Sequence, residues 1–153
     1  MMIKEKYQSF VALSSNLQTK GGEPVKGYKE LVAEANRVIK TISVLEAVAQ
    51  IENSDVIFVD LRGDMELIHT GIIPGAIHVR RGMLELVIDP DSPYHNPIFS
   101  TKRHFVFYCA SGIRSAMAAQ RAMEMGLTDV VQLAGGLKAW KDAGFALDPY
   151  RKG

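Results

Sequence analysis

The chain contains a single cysteine, Cys109, among its 153 residues, and this scarcity restricts its sulfur chemistry. One cysteine excludes an internal disulfide, and no second thiol is present to resolve an oxidised form of the first. Because disulfide-stabilised domains belong to oxidising compartments, the sequence favours a reducing, cytoplasmic environment. A sulfur adduct formed on Cys109 would have to be discharged by an outside molecule.

The sequence also lacks an excess of charge of either sign and any long apolar run. Its 18 basic and 17 acidic residues nearly cancel, to a net charge of +1, without a block of like charge. A nucleic-acid binder needs a broad basic field, so we predict neither DNA nor RNA as a partner. The apolar run at residues 10–13 is too short for a signal peptide. No run approaches the roughly 18 residues that span a bilayer, so we predict no membrane association.

Metal-ligand patterns are absent as well. The four histidines, His69, His78, His95 and His104, have spacings that match no ligand motif, and one cysteine provides no ligand pair. We therefore predict neither a metal nor an organic cofactor.

The first 39 residues are predicted to form an extension in front of the main domain. Residues 1–27 are polar and irregular, which is typical of a flexible lead-in. Residues 28–39 place apolar side chains at helical spacing, which predicts one amphipathic helix. Its apolar stripe consists of Leu31, Val32, Ala35, Val38 and Ile39. We place the main domain at residues 40–150.

Five short segments predicted to be strands, four of them apolar runs, alternate with helical or turn segments in the main domain. The clearest, residues 56–60, is rich in β-branched and aromatic residues, which is typical of a strand covered on both faces. The other predicted strands are residues 40–42, 77–79, 105–108 and 130–133. A capping box at Ser43 and Glu46 predicts a helix that continues to Ile51. Strands that alternate with helices predict an α/β fold with a mostly parallel sheet.

Cys109 follows the apolar run at residues 105–108 and precedes a turn of small residues and a helix predicted over residues 114–125. This order aims the sulfur at a helix amino terminus, where free N–H groups and the helix dipole lower a thiol's pKa. Gly112 permits a turn that directs N–H groups inward, and Arg114 adds a fixed positive charge. Cys109 is therefore a candidate nucleophile. The alternative is a buried cysteine that only packs in the core.

Asp60 and Arg62 lie at the end of another predicted strand. Because the carboxyl ends of parallel strands share one edge of a sheet, we expect both residues near the Cys109 loop. Buried charges are costly unless paired, so these two are predicted to support neighbouring loops through hydrogen bonds. Arg114 could bind an anionic donor or lock the loop against Asp60. The proline-containing segment 89–102 either overhangs the pocket or packs on the surface.

Four segments occur in the order found in the rhodanese family of sulfurtransferase domains. They are residues 56–62 (VIFVDLR), 71–76 (GIIPGA), 109–115 (CASGIRS) and 133–140 (LAGGLKAW). The chain resembles this family over roughly residues 41–148. The resemblance implies a three-layer sandwich with a five-stranded, mostly parallel sheet flanked by helices, to which the N-terminal helix is an addition.

The resemblance also implies roles for the loop after the predicted strand at residues 105–108. Cys109 would accept a sulfane sulfur as a persulfide, backbone N–H groups would cradle the outer sulfur, and Arg114 would close the loop. The loop residues after the cysteine are Ala110, Ser111, Gly112, Ile113, Arg114 and Ser115. A ring of N–H donors at a helix start can stabilise an anionic persulfide without a base or a metal. Ser111 and Ser115 could bond the sulfur or cap the helix.

The resulting expectation is a sulfurtransferase that moves sulfur from thiosulfate or a similar small donor to cyanide or a thiol, including a protein thiol. Arg114 is the only basic residue of the loop, unlike loops devoted to thiosulfate, and the loop also differs from the mercaptopyruvate type, so we expect a broad donor range. One alternative is a persulfide carrier or docking module without turnover, with the helix stripe as its partner surface. A less favoured alternative is a phosphatase or arsenate reductase, because related cysteine phosphatases place five residues between Cys and Arg where this loop has four.

Overall fold

The computed structural model describes residues 25–151, and the predicted lead-in before residue 25 lies outside them. The chain divides into two units, residues 1–31 and 32–153. The described part of the first unit, residues 25–31, contains the beginning of a helix, and the remaining elements belong to the second unit. The domain boundary expected after residue 39 stays a prediction.

Within residues 25–151, six α-helices alternate with five β-strands. The helices are α1 (Tyr28–Val38), α2 (Val44–Val48), α3 (Asp64–Thr70), α4 (Leu84–Ile88), α5 (Ile113–Glu124) and α6 (Gly136–Asp142). The strands are β1 (Lys40–Ile42), β2 (Val56–Asp60), β3 (Ile77–His78), β4 (His104–Tyr108) and β5 (Val130–Leu133). Two short 3₁₀ turns, Arg81–Met83 and Pro97–Ser100, precede α4 and β4.

The strands form one parallel sheet in the order β1-β5-β4-β2-β3. Parallel neighbours need crossover connections, which is why strands alternate with helices in the sequence. β2 and β4 pair in register, with Val56 opposite His104 and Asp60 opposite Tyr108. The loops that follow Asp60 and Tyr108 therefore leave the sheet at the same edge. The prediction of an α/β fold with a five-stranded parallel sheet is confirmed.

Both faces of the sheet are covered, which gives a three-layer sandwich with two core clusters. In β4, Phe105 and Phe107 point into one cluster and Val106 and Tyr108 into the other. The first cluster includes residues of α1, α4 and α5, and the second includes residues of α2 and α6. Because the four positions of β4 from Phe105 to Tyr108 are all buried, they form a continuous apolar sequence instead of an alternating one.

Helix α5 starts at the Cys109 loop and lies against the face of the sheet that carries the first core cluster. Its buried residues are all small: Ser115, Ala116, Ala118, Ala119 and Ala122. Short side chains allow the helix to approach the sheet closely, and this fixes where its first turn lies relative to the end of β4.

The apolar stripe predicted in α1 is divided between core and surface. Ala35 and Ile39 are buried in the first core cluster, and Val32 packs against it. Leu31 and Val38 are exposed. From Val32 onward, the helix is therefore bound to the domain through part of its stripe.

The capping box predicted before α2 is present, with Glu46 N–H donating to Ser43 Oγ at 3.1 Å and Ser43 N–H donating to Glu46 Oε1 at 3.2 Å. The helix ends at Val48, three residues before the predicted end. The N–H groups of Gln50 and Ile51 instead bond carbonyls three residues back, so this end is a tightened turn.

The segment at residues 89–102 packs on the domain. Phe99 is buried and stacks on Phe105, with ring centroids 5.0 Å apart. Phe99 and Lys102 line a cavity at the amino-terminal ends of β4 and β5, the edge opposite Cys109. The contacts of this part of the segment therefore support packing on the surface and not an overhang of the Cys109 pocket.

Candidate active site

Cys109 is the residue after β4 and is 1 % exposed. The chain turns through Gly112, whose φ of 106° is a left-handed conformation that side-chain-bearing residues rarely adopt, and enters α5. This turn brings the first N–H groups of the helix toward the cysteine. The sequence interpretation of a sulfur at a helix start therefore matches the geometry.

Two backbone N–H donors and one hydroxyl oxygen surround the sulfur. The N–H of Gly112 donates to Cys109 Sγ at 3.1 Å, the N–H of Ser115 donates at 3.4 Å, and Ser115 Oγ lies 3.4 Å away. Burial is the largest influence on the thiol and acts to raise its pKa. The contact with the Ser115 hydroxyl and the hydrogen bonds from the N–H groups of Ser115, Gly112 and Ser111 together outweigh it, so the pKa of Cys109 lies below its ordinary value.

The other loop residues form the rim of this cradle. Ser111 and Ile113 are exposed, and Ala110 and Gly112 are half-buried. Ser115 is fully buried beneath the sulfur. Apart from Ser115, the loop residues thus present backbone on the inside and side chains on the outside, which suits a small anion.

Helix α6 supports the loop from the side. The N–H of Leu137 donates to Cys109 O at 2.8 Å, and the N–H of Lys138 donates to Ala110 O at 3.0 Å. A Cβ on Gly136 would lie 2.5 Å from Cys109 O, so only glycine allows this approach. Nothing in the sequence indicated that this helix would be bonded to the nucleophile's own carbonyl.

Arg114 is paired with Glu66 of α3, which corrects the expectation that it locks the loop against Asp60. Its Nη1 and Nη2 donate to Glu66 Oε2 and Oε1 at 2.8 and 2.9 Å. Glu66 Oε2 also accepts the N–H of Gly63 at 2.9 Å. The bidentate pairing with Arg114 is the main cause that lowers the pKa of Glu66 to about 2. Glu66 was not recognised from the sequence, because it lies 48 residues from its partner.

Asp60 is paired with Arg62 and not with Arg114. Arg62 Nη2 donates to Asp60 Oδ2 at 2.8 Å, and both side chains are buried. Arg62 also donates to Thr70 Oγ1 and Gly71 O, each at 2.8 Å. The pair holds the 70–71 turn against the end of β2, which is the supporting arrangement expected from the sequence.

Tyr108 fixes the next part of the same turn. The backbone N–H of Ile73 donates to its hydroxyl oxygen at 3.1 Å. Burial, together with the nearby Asp60 carboxylate, raises the pKa of Tyr108, so this phenol stays protonated. The segment at residues 71–76 is thereby tied to the strand that carries Cys109.

A polar network behind Cys109 was also missed. Ser115 Oγ donates to Gln132 Oε1 at 2.9 Å, and Gln132 Nε2 donates to Asn36 Oδ1 at 2.9 Å and to Thr41 Oγ1 at 3.2 Å. Gln132 is a buried polar residue in an otherwise apolar β5, which is the one local signal that could have pointed to it. Asn36 is 96 residues away, on α1.

A cavity of about 320 Å³ lies beside the loop. Its lining includes Ala110, Glu66 and His69, and the lysines Lys138 and Lys141 of α6. Among residues 25–151, no group of three or more His, Cys, Asp or Glu side chains is arranged to hold a metal ion. Over the same residues, no helix has the length and apolar character needed to cross a membrane.

The chain is similar to known proteins in sequence. A family model described as "Rhodanese-like domain" matches residues 43–143. A sulfurtransferase of Allochromatium vinosum is 30% identical over 96 residues, which are 63% of this chain and 81% of that protein. The thiosulfate sulfurtransferase GlpE of Coxiella burnetii is 28% identical over 102 residues, 67% of this chain and 87% of GlpE.

Solved structures are similar as well. A Rhodopseudomonas palustris protein of unknown function, described as a possible tyrosine phosphatase, is 45% identical with a TM-score of 0.79 and covers 82% of this chain and 97% of its own. The human single-domain sulfurtransferase is 25% identical with a TM-score of 0.58 and covers 69% and 97%. The chain therefore belongs to the rhodanese-like domain family, and the named relatives among its sequence matches are sulfurtransferases.

Proposed function

We propose that the protein accepts a sulfane sulfur on Cys109 as a persulfide and transfers it to a thiol or to cyanide. The single observation that carries this proposal is the position of Cys109 Sγ, which faces the N–H groups of Gly112 and Ser115 at the start of α5. The family membership supports sulfur transfer as the class of reaction, and the loop geometry supports Cys109 as the residue that carries the sulfur.

The first step forms the persulfide. The Cys109 thiolate attacks the outer sulfur of a donor such as thiosulfate, a new S–S bond forms, and the donor's own S–S bond breaks with its electron pair leaving on sulfite. In the second step, cyanide or an acceptor thiolate attacks the outer sulfur. The persulfide bond breaks and its electron pair returns to Cys109 as a thiolate, so the cycle has no net oxidation.

The surroundings of Cys109 suit both sulfur anions. Backbone N–H donors at the start of α5 need no reorganisation as negative charge moves between the inner and the outer sulfur. The lowered pKa of Cys109 favours the thiolate, the form that attacks sulfur, without a neighbouring general base. The structure thus supports displacement at sulfur by means of positioned amides alone.

The cavity beside the loop supports an anionic donor. Lys138 and Lys141 add positive charge to its rim, although Lys138 is also paired with Asp142 at 2.7 Å. An anionic donor such as thiosulfate would be attracted to this rim, and a thiol acceptor would approach through the same opening.

Phosphoester hydrolysis is the second candidate, because the similar R. palustris protein is described as a possible tyrosine phosphatase. Two observations weigh against it here. Both terminal nitrogens of Arg114 are bonded to Glu66, so they are not directed at a substrate phosphate. The four residues between Cys109 and Arg114 make a ring that suits one sulfur atom better than a tetrahedral phosphate.

A C109S variant tests the proposal. We expect thiosulfate:cyanide sulfur transfer by the native protein and background activity in C109S. Lys102→Ala, an exposed change at the opposite edge of the sheet, serves as the control and should keep full activity. Undiminished transfer by C109S would remove Cys109 from the mechanism. Phosphoester hydrolysis by the native protein without sulfur transfer would favour the second candidate.

A sulfur carrier without turnover is separated by the same samples. A carrier would take up one sulfur per molecule on Cys109 but would not release it repeatedly to cyanide or a small thiol. Multiple turnovers per molecule support an enzyme, and a single stoichiometric transfer would support the carrier.

A further inference from the structure

The Ser115 hydroxyl has one proton and two neighbours that can accept it. Its oxygen lies 2.9 Å from Gln132 Oε1 and 3.4 Å from Cys109 Sγ. While Cys109 is a thiol, both contacts are satisfied, because the S–H donates to Ser115 and Ser115 donates to Gln132. Once Cys109 ionises, the thiolate and the Gln132 carbonyl oxygen compete for that single proton.

Two residues at the surface hold the Gln132 carboxamide in the orientation in which its Oε1 accepts the Ser115 hydroxyl proton. Asn36 Oδ1 and Thr41 Oγ1 accept from its Nε2, which leaves Oε1 facing Ser115. Both residues can exchange roles, Asn36 by turning its own amide and Thr41 by rotating its hydroxyl. In the reversed order, Gln132 donates to Ser115 and Ser115 donates to the sulfur.

The network has room to reverse. A cavity of about 410 Å³ lies against it, lined by Asn36, Thr41 and Gln132 and by the outer side of the Cys109 loop at Ser111 and Gly112. Asn36 and Thr41 are exposed, whereas Gln132 and Ser115 are buried. The network therefore connects the surface beside α1 to the buried nucleophile.

We propose, building on the function above, that Gln132 is a positioning residue for Cys109 and that Asn36 and Thr41 select its orientation. With its carbonyl toward Ser115, Gln132 withholds the hydroxyl proton from the sulfur. With its amide toward Ser115, it releases that proton and stabilises the thiolate. Only hydrogen bonds change in this switch, and the thiol proton itself leaves to water.

The charged groups around Cys109 are separate from this network. They are Arg114 on α5, paired with Glu66 of α3, and the buried pair Asp60 and Arg62 at the end of β2. Variants at Gln132 or Asn36 leave all four unchanged, so a shift in the thiol pKa reports the hydrogen-bond order.

The first test is Q132L, which removes the competing acceptor with a side chain of similar size. Ser115 then donates to the sulfur, and we expect the pKa of Cys109 to fall by about half a unit or more. The thiolate's ultraviolet absorbance measures this pKa directly, with C109S as the baseline because Cys109 is the only cysteine. Far-ultraviolet circular dichroism confirms the fold. An unchanged or raised thiol pKa in folded Q132L would overturn the inference.

The second test acts from the exposed end of the network. N36D keeps a fixed acceptor opposite Gln132 Nε2, holds the carbonyl on Ser115, and should raise the thiol pKa. Because its charge alone also raises the pKa, the same change is measured in the Q132L background. We expect the shift in the native background to be larger by about 0.3 unit or more. Equal shifts of the thiol pKa in both backgrounds would show that Asn36 does not act on Cys109 through Gln132.

These titrations need no sulfur donor, so they are independent of the proposed reaction. If the thiol pKa moves as expected but no variant or native sample transfers sulfur, the proposed function fails and the positioning role stands. If sulfur transfer is present but the pKa does not respond to Q132L, the positioning role fails.

Discussion

Cys109 illustrates how neutral groups can control a buried charge. Burial alone would raise the pKa of its thiol, and the contact with the Ser115 hydroxyl and the hydrogen bonds from nearby N–H groups instead lower that pKa below its ordinary value. None of these donors is charged. The reactivity of this sulfur therefore depends on the placement of amides and one hydroxyl to within a few tenths of an ångström, and less on the net charge of the surroundings.

Glu66 should make the stability of the fold depend on acidity. Its pKa of about 2 in the folded state lies below the ordinary value of 4.5, so its contribution is present above pH 4.5 and is lost as the pH falls through about 2. Because Glu66 and Arg114 are both partly exposed, the pair is worth at most about 1 kcal/mol. E66Q should be less stable than the native protein at pH 7 by up to that amount, and equal to it near pH 2.

Urea unfolding between pH 2 and pH 7 measures this difference in unfolding free energy. Glu52→Gln, a change at an exposed glutamate, is the matched control and should follow the native curve. A difference between E66Q and the native protein that stays constant with pH would contradict the assignment.

Arg62 should be needed for stability far more than Arg114. It is 2% exposed and its partner Asp60 is fully buried. Arg62→Met leaves the Asp60 carboxylate buried without its cation, which costs about 3–5 kcal/mol of unfolding free energy. Adding Asp60→Asn removes the stranded charge and should restore part of the loss. Urea midpoints measure both, and a double variant less stable than R62M would show that Asp60 is satisfied without Arg62.

Among the elements, α6 has the most direct effect on the nucleophile after α5. Its first N–H groups hold the carbonyls of Cys109 and Ala110, and Gly136 makes the approach possible. We expect Gly136→Ala to push α6 away from the loop, lower stability by about 2 kcal/mol or more and reduce sulfur transfer by each folded molecule.

Gly144, which lies just after the end of α6, provides the matched control. It also has a positive φ, +84°, but a Cβ there meets no atom within 4 Å. Gly144→Ala should cost about 1–2 kcal/mol of stability from backbone strain alone and should leave the activity of folded molecules unchanged. Equal activity in the two variants would refute the role given to Gly136.

Local patterns were sufficient to predict the five strands and the helices α1, α2 and α5, and much less so the contacts between the elements. Continuous apolar runs indicated β2 and β4, and small residues after Cys109 indicated its turn, because these signals lie within a few adjacent residues. The partners Glu66 of Arg114 and Asn36 of Gln132 lie 48 and 96 residues away. Polar pairing at such separations depends on the crossover geometry, which no local period encodes.

Over the whole molecule, the two core clusters share the sheet and are joined through it, so residues 32–151 should unfold together. α1 contributes Ala35 and Ile39 to the first cluster. From Val32 onward, the additional helix should therefore unfold together with the strand that carries Cys109.

Paired leucine substitutions in α1 test this cooperativity. Ala35→Leu overfills a position with no exposed surface and should lower stability by about 1–3 kcal/mol. Ala33→Leu, on the exposed face of the same helix, should change it by less than about 0.5 kcal/mol. In urea, loss of helical ellipticity and labelling of the buried Cys109 thiol should shift together in A35L. Separate transitions would show that α1 unfolds independently.

The persulfide itself can be observed without any assay of turnover. Intact-protein mass spectrometry after incubation with thiosulfate should show a gain of one sulfur atom, confined by peptide mapping to Cys109 and removed by cyanide. C109S should gain nothing under the same conditions. A native protein that remains at its unmodified mass, or a C109S protein that takes up sulfur equally, would contradict the central role of the sulfur held by Gly112 and Ser115.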